Sequence, residues 1–573
     1  MDKINTINQI NNKSQFNSQA TLSNSKFFNL SAVEVIEKIK KREFTCREIC
    51  EYYLNRMKDL WDKNAILEIF DDALQQADNI DLIIANYYKN ANPETTLSSL
   101  PKLCGLPIVI KDNILYKGKT CSCGSQFMKN YKAQYNATVI DKLLKEGVVI
   151  LARANMDEFA MGGSCENSAF GACKNAFDDS RVSGGSSGGS AVAVACDMCA
   201  VALGSDTGGS IRQPSAFNGL VGIKPTYGRV SRYGLVAYVS SFDQISPIAK
   251  NVEDSALILS VIAGKDINDE TSLSTNEITT DSIENLASDK FDNYFTNNEN
   301  PINNITKAVK LSKKAVNLNG LKIGILKETQ KLMQKTEYND QYNKISQWLQ
   351  NQGATLKEFS VPYFDLALPT YYTLASAEAS SNLGRFDGVK YTTRSEKASN
   401  IPTASLDDVY LYSRSEGFGK EVQRRIMLGN FVLSSGYYDA YYMKALKIRR
   451  DLKNQFNEIF ENCDVIIFPT AYGEAFKIGE KTTNPVEMYV EDMFTTMANI
   501  LGIPAISIPC GLGKNNLPLG LQILAKANNE PVLYYLSNYM TKNYEQSKNS
   551  LATTLLNLNK TNQEKIQKED SLC

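Results

Sequence analysis

The chain has 573 residues, more than one ordinary domain uses, so one large core with additions, or two to three domains, is expected. With 43% hydrophobic and 22% charged residues and a formal net charge of −1, it reads as globular, with no long-range pull on phosphate backbones; nucleic-acid binding as its main task is disfavoured. No apolar run reaches the roughly 18–20 residues of a membrane helix, and the start lacks the apolar core of a secretory signal.

Residues 1–27, rich in Asn, Ser, Gln and Lys, are expected to be disordered. Order begins near Ser31: Ser31 and Glu34 have capping-box spacing, and Val35, Ile36 and Ile39 follow at helical spacing. A second helix is predicted from about Thr45 through Ile49, Tyr53 and Met57. Leu106–Ile110 reads as a short strand with Lys111 at its C-terminal end. Asp141–Glu146 looks helical, Gly147–Ala152 looks like a buried strand, and an Ala/Val-rich helix begins near Gly189. Strands alternating with helices predict an α/β layered fold whose site lies on loops at strand ends.

From about 266 to 319 the composition turns to Asp, Asn, Glu, Thr and Ser without steady apolar periodicity, which predicts a polar insertion within one domain spanning 28–545. Strand runs return at Leu321–Leu326, Asp464–Phe468 and Ile503–Ile508, and 546–573 reads as a polar tail. The 12 cysteines lack the spacing of a zinc site and read as small buried thiols. Free thiols fit a reducing compartment, with the cytoplasm expected and an organelle as the alternative.

Two glycine-serine clusters carry the chemistry. The first is Gly184-Gly185-Ser186-Ser187-Gly188-Gly189-Ser190; the second runs from Gly204 to Pro214 and contains Asp206-Thr207-Gly208-Gly209-Ser210-Ile211-Arg212. Neither ends in the Gly-Lys-Ser/Thr of a phosphate loop, and no dinucleotide-binding glycine pattern opens a helix, so nucleotide binding by these loops is disfavoured. Tight turns alone would explain the glycines but not the serines beside them. Acyl transfer explains both, because a serine nucleophile needs a base and backbone N–H groups aimed at the developing oxyanion. The chain contains no histidine, which excludes a Ser-His-Asp triad. A lysine desolvated toward neutrality can serve instead; Lys111, behind an apolar strand, is the candidate, and Ser186 can relay the proton.

These clusters resemble the signature of the amidase signature family. Ile223–Leu235, Phe242–Ile245, Arg385–Gly388, Glu421–Gly429 and Ser434–Tyr442 extend the resemblance, over roughly residues 30 to 540, to the glutaminase subunits of tRNA-dependent amidotransferases within it. The resemblance implies an α/β fold with a large mixed β-sheet covered by helices on both faces. It implies Ser210 as nucleophile, Ser186 as bridging serine after a cis Gly185–Ser186 peptide, and Lys111 as base. The backbone amides of Thr207, Gly208, Gly209 and Ser210 would form the oxyanion hole. Arg425 and Asp492, with Tyr371 nearby, would hold the α-carboxylate and α-ammonium of glutamine. No metal or cofactor is implied for this chain; ATP and Mg belong to the assembled complex. Its partners would be subunits B and C, which would also make most of the contact with tRNA while Glu-tRNA(Gln) is converted to Gln-tRNA(Gln). Ser183 and Asn218 depart from the family pattern, where proline and cysteine are usual, and altered loop stiffness is expected there. A stand-alone amidase acting on another small amide, and a non-catalytic scaffold subunit, are the alternatives.

Overall fold

One mixed sheet organises the computed structural model, which describes residues 25–90, 97–274, 301–334, 336, 338–545 and 547. Its strands are β1 (Ile66–Ile69), β2 (Pro107–Lys111), β3 (Val149–Ala154) and β4 (Val201–Asp206). After these come β5 (Val221–Lys224), β6 (Gln244–Ala249), β7 (Lys322–Leu326) and β8 (Thr355–Phe359). The chain completes the sheet with β9 (Val465–Pro469), β10 (Ala505–Leu512) and β11 (Pro518–Ala525). The spatial order is β1-β3-β2-β4-β6-β5-β10-β11-β9-β7-β8. The strands β3, β2 and β4 run parallel, as do β9, β7 and β8, while the pairings between these two groups are antiparallel. Every residue of β2, β3, β4, β6, β9 and β11 is buried, so helices and loops cover both faces of the sheet.

Local signals in the sequence account for the flanking helices. Ser31 caps Ala32–Lys40 in a reciprocal capping box with Glu34, and Ala32, Val35, Ile36 and Ile39 form the buried stripe. Thr45 and Glu48 do the same for Cys46–Asp59. The small residues of the helix Gly188–Ala195 are buried on all sides, which lets it sit tightly among β2, β3 and β4.

Two boundaries are corrected. Both ends of the expected 266–319 insertion are built into the fold. Asp266 accepts hydrogen bonds from Ser231 (2.6 Å) and Thr138, and Asp269 accepts from the Arg232 amide (2.8 Å). The helix Pro301–Ser312 packs on Glu530–Asn543, burying Ile305, Ala308 and Val309. Residues 275–300 lie outside the described residues. The expected disordered start includes Phe27, which packs edge-on against Phe44 with ring centroids 5.1 Å apart; residues 1–24 lie outside the described residues. Of the expected tail, 546–573, only Ser547 is described. The eleven described cysteines are buried free thiols. Among the described residues, no helix is long and apolar enough to cross a membrane.

Candidate active site

The parallel pairing of β2 with β4 sets their C-terminal ends side by side, Ile110 opposite Leu203. Lys111 is the last residue of β2 and Asp206 the last of β4, so the two glycine-serine loops converge where both strands stop.

Lys111 is fully buried. Its Nζ donates to Ser186 Oγ (2.7 Å), Ser187 Oγ (2.8 Å) and Ser205 Oγ (3.1 Å). Asn113 Nδ2 donates to the same Ser205 hydroxyl at 3.0 Å, fixing it beside the amine. Burial lowers the Lys111 pKa to about 7, although the charge of Asp157 works in the opposite direction. A neutral amine there retains two N–H donors and offers its lone pair to the third hydroxyl. The Gly185–Ser186 peptide is cis. Asp157, itself pushed by burial up to about 6, accepts from the amides of Cys165 (2.9 Å) and Asn167 (3.0 Å) and so holds the neighbouring loop.

Ser210 lies at the entrance to the helix Arg212–Phe217. Its carbonyl accepts from the Ser187 amide at 3.1 Å, which ties the Ser210 backbone to the residue after Ser186. The structure thus brings Lys111 and Ser186 into direct contact and places Ser210 next to them through Ser187; Ser186 Oγ and Ser210 Oγ share no hydrogen bond.

The turn before Ser210 is held by a buried ion pair. Arg212 meets Asp206 through two nitrogens, at 3.0 and 2.9 Å, and continues to Asn499 Oδ1 (2.6 Å), Gln522 Oε1 (2.5 Å) and the Thr495 carbonyl (2.8 Å). Burial would raise the Asp206 carboxyl, but the Arg212 guanidinium overcomes it and holds the pKa near about 2. Asp206 also accepts the Gly209 amide at 2.9 Å. This modifies one expectation: the Gly209 N–H faces the carboxylate, so the amides of Thr207, Gly208 and Ser210 are the ones left for an oxyanion. Gly209 itself has φ +135°, and a Cβ there would run into the Thr495 side chain. Tyr371 lies so close to Gly208 that a Cβ at that glycine would strike the Tyr371 hydroxyl.

Arg425 and Asp492 share one aromatic pocket. Asp492 accepts from Tyr372 Oη at 2.6 Å, and the Arg425 guanidinium stands over the same Tyr372 ring at 4.7 Å. Burial pushes the Asp492 carboxyl up to about 7. Tyr489 stacks on Tyr372 at 4.2 Å, and its ring lies 4.9 Å from the Arg425 guanidinium. Arg425 is 3% exposed and already donates from Nε to Glu421 (2.7 Å) and from Nη1 to Tyr238 Oη (2.5 Å).

Sequence reading did not find Glu421, Tyr238, Tyr372 and Tyr489. Glu421 and Arg425, four apart on the helix Lys420–Leu433, were the one pair a helical spacing rule could have joined. The two departures from the family pattern touch each other: Asn218 Nδ2 donates to the Ser183 carbonyl at 2.8 Å and to the Pro214 carbonyl at 2.8 Å.

A buried lysine held against one serine, with a second serine on a glycine turn beside them, is an arrangement suited to a serine amidase. The Amidase family model matches residues 48–533, and the chain belongs to that family. It is 46% identical over 520 residues to the glutamyl-tRNA(Gln) amidotransferase A-subunit of Caldanaerobacter subterraneus subsp. tengcongensis, covering 90% of this chain and 97% of the relative. The protein of the same name from Thermoanaerobacter pseudethanolicus is 47% identical over 501 residues, covering 87% and 93%. The crystal structure of the glutamyl-tRNA(Gln) amidotransferase A-subunit from Thermotoga maritima superimposes with a TM-score of 0.68 at 34% identity, over 91% of this chain and 96% of that one. A bacterial aryl acylamidase shares the fold at a TM-score of 0.73 and 20% identity, over 92% and 99%.

Proposed function

We propose that this chain is the glutaminase subunit of a tRNA-dependent amidotransferase. Neutral Lys111 accepts the Ser186 proton while Ser186 accepts that of Ser210, and Ser210 Oγ attacks the carboxamide carbon of glutamine. The carbonyl π pair becomes an oxyanion facing the amides of Thr207, Gly208 and Ser210. The proton returns through Ser186 to the departing nitrogen, the C–N bond breaks, and ammonia leaves a glutamyl ester on Ser210. Water hydrolyses that ester by the same relay. Ammonia then passes to partner subunits B and C, which with ATP and Mg convert Glu-tRNA(Gln) to Gln-tRNA(Gln); tRNA is contacted mainly through them. The cytoplasm is the proposed location.

The observation that carries this reading is the fully buried Lys111 in contact with Ser186. Its test uses the chain co-expressed with its partner subunits. Ser210→Ala should abolish glutamine-dependent Gln-tRNA formation and the glutamyl adduct seen by mass spectrometry, while added ammonium salt restores product. Glutamine-dependent product from the variant would refute the assignment. Arg425→Ala separates the stand-alone amidase: undiminished glutamine hydrolysis would exclude the glutamine pocket.

A further inference from the structure

Gln213 is the second residue of the helix Arg212–Phe217 that follows Ser210 and is 1% exposed. Its orientation is fixed by chemistry, because Oε1 accepts the Gly185 amide at 3.1 Å and the amide nitrogen could not. Nε2 is therefore turned the other way, where it is buried and meets no hydrogen-bond partner among the described residues. The Gln213 amide borders Gly163: a Cβ there would lie 3.4 Å from Asp492 Oδ1, 3.6 Å from Gln213 Nε2 and 3.9 Å from its Oε1, so the missing side chain leaves a small recess where an amide donor and a carboxylate both open. A second buried polar atom without a partner, Ser164 Oγ, is on the next residue. A buried donor normally finds a partner in the chain, in water or in a ligand.

A donor and a carboxylate side by side match a carbon that carries both an ammonium and a carboxylate. Arg425 already gives its Nε–H to Glu421 and one Nη1–H to Tyr238, so only part of its donor set is left for such a carboxylate. We propose that Gln213 is a specificity-determining substrate contact, donating from Nε2 to the α-carboxylate of the amino-acid amide whose ammonium faces Asp492. This rests on the glutamine reading given above. Because Oε1 of the same side chain holds Gly185, one residue before Ser186, occupation of the recess also steadies the relay serine.

The test is a substrate-by-variant comparison on the full chain with its partners, reading ammonia release. Gln213→Glu keeps an acceptor for Gly185 and replaces the donor; Gln213→Met has similar length and buries no charge. The substrates are glutamine, glutaramic acid (no amine) and γ-aminobutyramide (no carboxylate). For Gln213→Glu kcat/KM should fall about ten- to a hundredfold on glutamine and glutaramic acid, chiefly through KM, and much less on γ-aminobutyramide; Gln213→Met, which also leaves the Gly185 amide without its acceptor, should lose kcat on all three and lose most on the two carboxylates. Equal loss on all three substrates, or no loss, would overturn the assignment of Gln213. If wild type itself does not prefer glutamine to γ-aminobutyramide, the glutamine reading fails instead, and the two outcomes are distinct.

Discussion

Lys111 should set the acid limb of glutamine hydrolysis. At the ordinary lysine value of 10.5 an amine is neutral in about one molecule in a thousand at pH 7.5. With the pKa lowered by burial to about 7, roughly three-quarters of the molecules carry a neutral amine at that pH. The active form is the unprotonated one, so kcat/KM should be flat above pH about 8 and fall about tenfold per unit well below the pKa. Carboxyl groups titrate nearby: burial pushes Asp157 and Asp243 up to about 6 and Asp492 up to about 7. Temperature separates them, because ammonium ionisation takes up much heat and carboxyl ionisation very little. Profiles of kcat/KM from about pH 5.5 to 9, recorded at two temperatures, should show the limb moving to lower pH on warming. Repeating them with glutaramic acid removes the ammonium that Asp492 faces and should leave the limb in place. Lys111→Arg should be inactive, since a guanidinium stays charged throughout. A limb that does not move with temperature, or that survives in Lys111→Arg, would refute Lys111 as the base.

Gly209→Ala should lower kcat by about 10²–10³ with little change in KM, because the Cβ meets Thr495 and displaces the turn that positions the Ser210 amide; steady-state kinetics that match wild type would contradict this. Arg212→Met leaves Asp206 buried without its cation and should cost about 3–5 kcal/mol in a denaturant melt. In the wild-type protein the folded pKa of Asp206 lies below its ordinary value of 3.8, so this contribution is complete above about pH 4 and is lost as pH falls toward about 2; melts of the variant across that window should lack the loss. Glu421→Gln removes the charge that orients Arg425 and should raise KM for glutamine about fivefold while sparing γ-aminobutyramide, read from the same ammonia assay.

What the sequence makes legible is what lies close along the chain. Ser31 with Glu34, the apolar run into Lys111, and the glycines around Ser186 and Ser210 each announce a cap, a strand or a turn within a few residues, and all are found there. Pattern alone singles out Lys111, Ser186 and Ser210, and the pairing of β2 with β4 is what brings Lys111 to the loop of Ser186. The boundary of the polar segment at 266–319 misled because hydroxyls and carboxylates can dock by hydrogen bonds without apolar periodicity, as Asp266 does to Ser231.

The support of the site is a different matter, because its partners are far apart in sequence. Arg212 is fixed by Asn499 and Gln522, 287 and 310 residues away, and each is an ordinary polar residue in its own segment. Arg425 meets Tyr238 across 187 residues, and Tyr372 meets Asp492 across 120. Such contacts arise only when the sheet closes, with β5 pairing to β10, so no window along the chain contains them. The same physics makes Ser183 and Asn218 informative. Taken one at a time they are two unexplained departures 35 residues apart; in the fold an amide side chain fastens the carbonyl that precedes the Gly184–Gly185 turn. A proline would stiffen that turn through its own φ, whereas here a hydrogen bond from Asn218, the residue that caps the helix Arg212–Phe217, holds it. The loop of Ser186 and the helix after Ser210 are therefore held to each other on both sides: Asn218 fastens Ser183, and Gln213 fastens Gly185.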